Sequence, residues 1–320
     1  ENKFEGTVQK IQLSGVEDIT IDQATGIAFL SSYDRWADNI DKQPIKGGIY
    51  ALHLNDSMPK PIHLTADFEK PEFHPHGISL YKTPEGKQIL FVVNHQSTQD
   101  IIEIFEYAND TLHHVESVEN PLVVSPNDIV GVGERSFYVT NDHNEPMTTG
   151  RFLKDLAQIG TGNVCYYDGK TMSITSIEGI KYANGINVNQ DGTILYMASP
   201  TDRTIYVYER NIATGKLTAT TEIYTDTGVD NIEFDAKGNL WVGCHPQLLK
   251  FLGHAKDEAS ISPSEIMKIP PKADGTFDQK TVYINEGSEI SASATGAVYK
   301  NHLLIGPVFQ RHFLWCQMEK

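Results

Sequence analysis

Glu17-Asp18-Ile19, His76-Gly77-Ile78, Asn127-Asp128-Ile129, Asn184-Gly185-Ile186, Asp230-Asn231-Ile232 and the weaker Thr295-Gly296-Ala297 share one pattern. Each sets one or two polar or small residues directly before Ile or Ala and a short apolar strand. Successive copies lie roughly 45 to 65 residues apart, the spacing of propeller blades. A second apolar run follows each copy after a turn, as in Ile27-Ala28-Phe29-Leu30 and Asn239-Leu240-Trp241-Val242. Runs this short and this rich in β-branched and aromatic residues are strands. The intervening turns Glu85-Gly86, Asp191-Gly192 and Lys237-Gly238 carry hairpin chemistry.

A third strand type alternates its faces, as in Ile205-Tyr206-Val207-Tyr208. In the fifth blade it is expected at residues 248–252, with a fourth-type strand at 266–269. Fourth-type strands number one fewer than the others, while a spare strand at residues 7–13 precedes the first blade. Placed as the outer strand of the last blade, that segment completes six four-stranded sheets and closes the ring, which removes the open edge. The expected fold is therefore all-β, a six-bladed β-propeller forming one domain over residues 1–320. One short helix is expected near residues 150–160. A sandwich or barrel is the structural competitor.

The chain has 320 residues, 39% of them apolar, and a formal charge of −16. That charge argues against nucleic acid or an anionic membrane as partner. No segment has the length and apolarity of a membrane span, and no membrane anchor is evident in these residues. Cys165, Cys244 and Cys316 have no zinc-ligand spacing and allow one disulfide at most.

Equivalent strand starts in a closed ring face a common axis. Glu17, Asn127, Asn184, Asp230 and Asn231 would then offer five oxygens, two of them from carboxylates, which suits calcium better than magnesium or zinc. Asp18 and Asp128 follow Glu17 and Asn127, and consecutive strand side chains point opposite ways, so these two aspartates are expected at a second, deeper site. His76 holds a ring position and His95 ends the next strand of the same blade; the two suit an acid–base pair. Paired carboxylates that only anchor turns or hold a structural ion remain an alternative reading.

Glu17-Asp18, His74-Pro75-His76-Gly77-Ile78-Ser79, Val92-Val93-Asn94-His95, Asn127-Asp128-Ile129-Val130, Thr140-Asn141-Asp142-His143, Ala183-Asn184-Gly185-Ile186 and Val229-Asp230-Asn231-Ile232 together resemble the serum paraoxonase (arylesterase) family. Trp241-Val242-Gly243-Cys244-His245-Pro246 extends the match, which runs in order over about residues 14 to 316. The resemblance implies a six-bladed propeller with two calcium ions and with lactonase, arylesterase and weaker phosphotriesterase activities. It implies a catalytic calcium at Glu17, Asn127, Asn184, Asp230 and Asn231, and a structural calcium at Asp18, Asp128 and the carbonyl of Ile78. It implies a His76–His95 dyad, with Asp142, His143 and His245 around the pocket. Trp36 stands where the family has tyrosine and Tyr182 where it has phenylalanine, which bears on substrate range.

No cysteine precedes Cys165, so the family's terminal disulfide to a position like Cys316 cannot form. The family's apolar N-terminal helix has no counterpart in these residues, and the segment after Asp142 is more polar than the family's membrane-facing helix. The leading expectation is a calcium-dependent hydrolase of small lactones and aryl esters, with His76 or Asp230 as base, secreted or periplasmic. A phosphotriesterase and a non-catalytic, calcium-stabilised binding propeller are the alternatives.

Overall fold

The computed structural model describes residues 2–43, 45–144, 160–272 and 275–319. The body of the expected helix, residues 150–159, and the polar segment beyond Asn144 lie outside the described residues. Among the described residues twenty-four strands form six antiparallel four-stranded sheets, the expected six-bladed β-propeller.

The first blade is β2 (Val16–Asp22), β3 (Ile27–Ser32), β4 (Gly48–His53) and β5 (Ile62–His63), with helix α1 (Arg35–Asn39) between β3 and β4. The second is β6 (Pro75–Lys82), β7 (Gln88–Asn94), β8 (Ile101–Ala108) and β9 (Thr111–Val118). The third is β10 (Pro126–Gly131), β11 (Phe137–Asn141), β12 (Gly162–Tyr167) and β13 (Met172–Ile180); the fourth is β14 (Ile186–Val188), β15 (Ile194–Ser199), β16 (Thr204–Arg210) and β17 (Leu217–Tyr224). The fifth is β18 (Gly228–Phe234), β19 (Leu240–His245), β20 (Ser264–Ile269) and β21 (Lys280–Asn285), with helix α2 (Leu248–His254) before β20. The sixth joins β22 (Ser293–Tyr299), β23 (His302–Pro307) and β24 (His312–Met318) to β1 (Gly6–Gln12).

Two compact units divide the chain, Glu1–Pro75 with Asp226–Lys320, and His76–Thr225. The first unit holds blades one, five and six. Its core lies between facing sheets: Ile19, Leu30 and Leu52 pack with Leu304 and Phe313, and Trp241 and Ile266 pack with Leu303 and Leu314. The second unit holds blades two, three and four, packed in the same manner through Phe91, Ile104 and Phe137, and through Tyr138, Ile186 and Met197.

Chain closure is as expected. β1 pairs antiparallel with β24 from Gly6 opposite Met318 to Gln12 opposite His312. Val8 stands opposite Cys316, and Cys165, Cys244 and Cys316 are all free thiols. The strand is therefore held by its ladder and by packing of Val8 and Phe4 on the Cys316 cluster.

The fifth blade corrects one expectation. Residues 248–252 form the start of helix α2 rather than a strand, the segment at 266–269 lies in the third strand β20, and the fourth strand is β21. Leu248, Phe251 and Leu252 recur at the spacing of one helical face, whereas a strand needs alternation. Phe251 turns inward, 4.4 Å from the His245 ring and 5.6 Å from the Phe309 ring.

Candidate functional site

The repeated polar doublets sit on β-bulges. Pairing register shifts between Val16 and Ile19, between Pro126 and Ile129, and between Val229 and Ile232. Each bulge contains a doublet, Glu17-Asp18, Asn127-Asp128 or Asp230-Asn231. A bulge re-aims side chains that a regular strand would send to opposite faces. The sequence pattern shows the doublet but not the bulge, because the extra residue is visible only against the partner strand.

In the first unit, Glu17 meets Asn231, and Asp230 precedes Asn231 in the same bulge. Asn231 Nδ2 donates to Glu17 Oε1 at 2.9 Å and to the Glu17 carbonyl at 3.0 Å. All three residues are buried, as is Asp18. Asp18 Oδ1 accepts the Ile19 N–H, and its own N–H donates to Ser31 Oγ. Arg35, absent from the sequence-derived site, is buried nearby. Burial pushes its guanidinium below its usual range, while the charges of Glu17, Tyr33 and Asp230 oppose that shift. Burial, and then the charge of Asp18, push the carboxyl of Glu233, one strand residue beyond Ile232, well above the usual carboxylate range.

In the second unit, Asp128 is latched to the backbone. Its Oδ1 accepts Ile129 N–H at 2.7 Å, and its Oδ2 accepts Ile186 N–H at 2.7 Å, which ties the Asn184-Gly185-Ile186 start to the Asn127-Asp128 start. Gly77 lies against the same place: a Cβ there would stand 2.5 Å from Asp128 Oδ1 and 2.6 Å from the Asn127 carbonyl. Only glycine lets His76-Gly77-Ile78 approach so closely, which brings Ile78 and Asp128 into one neighbourhood.

Buried amide oxygens give the test of fit to a cation. Asn127 Oδ1, Asn184 Oδ1 and Asn231 Oδ1 are each buried without a hydrogen-bond partner. A buried acceptor left without a donor costs about 1–3 kcal/mol. Oxygens of this kind fit a hard cation, since calcium accepts amide and carboxylate oxygens together. No three His, Cys, Asp or Glu side chains converge among the described residues. That accords with a donor set in which asparagine outnumbers the acids.

The histidines form a chain. His76 Nδ1 lies 3.1 Å from His95 Nε2, and His95 Nδ1 lies 2.8 Å from Asp100 Oδ1. A carboxylate cannot donate, so His95 Nδ1 carries the proton toward Asp100 and its Nε2 accepts from His76 Nδ1–H. In that tautomer His76 Nε2 is the unprotonated ring nitrogen. Sequence reasoning missed Asp100, which sits in the turn between β7 and β8; a carboxylate five residues after a strand-end histidine was the available signal.

The expected wall residues fall into two groups. Asp142, His143 and Tyr182 meet in the second unit: His143 Nδ1 is 3.0 Å from Asp142 Oδ1, Ser125 Oγ also donates to that oxygen, and the His143 and Tyr182 rings are 5.5 Å apart edge to face. In the first unit His245 Nε2 lies 2.6 Å from Asp230 Oδ2, with both side chains buried. Trp36 donates to the His254 carbonyl and stacks on Phe309. An aromatic path of Trp36, Phe309, Phe251 and His245 thus leads to Asp230. Phe251 and Phe309 were not legible as site residues, since the helix carrying Phe251 reads as a strand.

The comparisons with known proteins give the class, a hydrolase built on a propeller. A model of the arylesterase family matches residues 6–318. Human serum paraoxonase/arylesterase 2 is 33% identical over 311 residues, covering 95% of this chain and 86% of its own. Rabbit (Oryctolagus cuniculus) serum paraoxonase/lactonase 3 is 31% identical over 309 residues at the same coverages. The chain belongs to the arylesterase family. Among solved structures, a luciferin-regenerating enzyme superposes with a TM-score of 0.56 at 13% identity over 98% of this chain and 95% of that one. A calcium-binding regucalcin from Agrobacterium tumefaciens gives 0.54 at 15% identity over 99% and 96%. Both share the fold. Among the described residues no helix is long and apolar enough to cross a membrane.

Proposed function

We propose that this chain hydrolyses lactones and aryl esters with the help of calcium. The names of its relatives, arylesterase and lactonase, support the substrate class. The observation that carries calcium is the set of buried asparagine oxygens without donors at Asn127, Asn184 and Asn231. With Glu17 and Asp230 these residues would hold a catalytic ion; Asp18, Asp128 and the Ile78 carbonyl would hold a structural one. When bound, the catalytic ion would supply a Lewis acid for the ester carbonyl oxygen.

The side chains of the chain itself do the rest. His76 Nε2 takes the proton of the attacking water. His95 accepts from His76 Nδ1–H and so fixes its tautomer, while Asp100 holds His95 and offsets the positive charge that develops on the pair. His245 donates to Asp230 Oδ2 and fixes the carboxylate's orientation. That bond draws on the lone pairs Asp230 would need as base, which favours His76 for the role. Trp36, Phe309 and Phe251 give the first unit an apolar wall suited to an acyl or aryl group, and His143 with Tyr182 does so in the second.

Sites of this kind suit compartments with millimolar calcium, outside the cytosol. The test is hydrolysis of phenyl acetate and of a medium-chain δ-lactone, with chelator and then with calcium restored, in the unaltered chain and in His76→Gln and Asp230→Asn. Loss on chelation, recovery with calcium and a deep loss in His76→Gln are expected. Full turnover in chelator would remove calcium from the reading, and full turnover in His76→Gln would transfer the base to Asp230.

A further inference from the structure

A cavity of about 430 Å3 opens in the first unit at the strand ends remote from the candidate active site, lined by Lys3, Lys237, Lys268, Lys280 and Lys300 beside Trp241. Gln23, just past the end of β2, also lines it. Glu17 sits near the opposite end of β2, roughly 20 Å away at ~3.3 Å per residue. The cavity is therefore separate from the hydrolase site.

Its charge runs against that of the chain. The whole sequence has 26 lysines and arginines against 42 acids. Here five lysines meet the carboxylates Glu5, Asp235 and Glu319. Asp235 is already engaged, accepting from Asn239 Nδ2, Trp241 Nε1 and the N–H groups of Lys237 and Asn239. Among the described residues Lys3, Lys237, Lys268 and Lys280 form no ion pair with the cavity's acids.

The strand register sharpens the point. Trp241 stands opposite Lys268 across β19 and β20, and Lys268 stands opposite Lys280 across β20 and β21. Directly opposed residues share a face, and like charges in that relation are destabilising. Lys268 Nζ lies 5.5 Å from the Trp241 ring centre, a cation–π contact that holds the ammonium at the cavity wall. Lys300 is held as well, by Asn55 Oδ1 at 2.8 Å and by the Tyr299 ring. Lys268 and Lys300 are thus held in place, and Lys3, Lys237 and Lys280 line the same cavity. Ammonium groups around a concave space act as donors for an anion, and a cavity of this volume takes a small organic molecule.

We propose that this cavity binds a small phosphate-bearing anion, with Lys268 and Lys280 as its principal donors and Lys3, Lys237 and Lys300 around it. The phosphate source is either a free metabolite or a phosphomonoester lipid headgroup.

The test titrates inorganic phosphate into the protein at constant ionic strength, against chloride, by calorimetry and by tryptophan emission. Saturable binding in the millimolar range or tighter is expected, with an emission change that Trp241→Phe abolishes. Lys268→Gln/Lys280→Gln should weaken binding by about tenfold or more. It should also melt higher than the unaltered chain when phosphate is absent, and leave ester turnover unchanged. Co-sedimentation with phosphatidylcholine vesicles, with and without phosphatidic acid, separates the sources: lysine-dependent pelleting only with phosphatidic acid assigns a headgroup, and phosphate binding without pelleting assigns a free anion. Absence of phosphate binding, or equal binding in the double variant, overturns the proposal.

Discussion

Asn127 and Asp128 are adjacent in one strand, yet the fold treats them oppositely. Asp128 has both carboxylate oxygens hydrogen-bonded to backbone N–H groups, while Asn127 keeps its amide oxygen buried with no donor. The first unit repeats the contrast: Asp18 Oδ1 takes the Ile19 N–H, and Asn231 Oδ1 takes none. In β10 the difference falls within one bulge; in the first unit it falls between Asp18 in the β2 bulge and Asn231 in the β18 bulge. The aspartate is built into the scaffold, while the asparagine oxygen has no donor and, on the proposed reading, takes a ligand that brings positive charge. Stability should therefore follow the aspartates and activity the asparagines.

The largest effect is expected at the histidine chain that this scaffold carries. His76→Gln should lower kcat by about 10²- to 10⁴-fold while calcium affinity is kept, as checked by ester turnover beside a calcium titration. A smaller loss with weakened calcium binding would make His76 a structural support. Next comes the contrast itself. In chelator, Asp128→Ala should lose about 3 kcal/mol or more in urea unfolding, because two charge-assisted hydrogen bonds go with it. Asn127→Ala under the same conditions should unfold no more easily than the unaltered chain, yet lose turnover when calcium is present. Equal destabilisation by both substitutions would erase the distinction.

Asp100→Asn should be milder, about tenfold in kcat with KM held, since His95 keeps a partner but loses a charge. Its pH–rate profile should shift, because the imidazolium of the pair is less well stabilised. A drop in turnover with an unchanged profile would reduce Asp100 to packing.

The smallest effect is acid sensitivity outside the His76–His95 chain. Burial lowers the pKa of His254, His302 and His312 below the ordinary 6.5. The unfolded chain then binds more protons just below pH 6.5, so stability should fall as pH drops through 6.5 toward the lowered folded values. Urea midpoints at pH 7.5 and 5.5 measure it. A flat response would show that these histidines protonate in place.

Much of the ring was legible because its signal is repetitive. Polar or small residues before Ile, or before Ala in the sixth blade, mark the innermost strands, and the spare strand at residues 7–13 marks the closure, which β1 and β24 make with Val8 facing Cys316. The fifth blade was misread where the run Leu248-Leu249-Lys250-Phe251-Leu252 lacks alternation, so that apolar content alone suggested a strand. The candidate site was legible in its repeated members. Asp100, Arg35 and Phe309 were not, since they act through turns, burial and side-chain packing that no period records. The bulges were hidden too, although they explain how Asp230 and Asn231, adjacent in sequence, can serve one centre.

Calcium titration by calorimetry into chelator-stripped protein tests the central claim most directly, with the unaltered chain beside Asn127→Ala/Asn184→Ala. Two ions per chain, falling to one in the double variant together with loss of ester hydrolysis, is the expected result. No binding in the unaltered chain, or the same two ions in the double variant, would contradict the account.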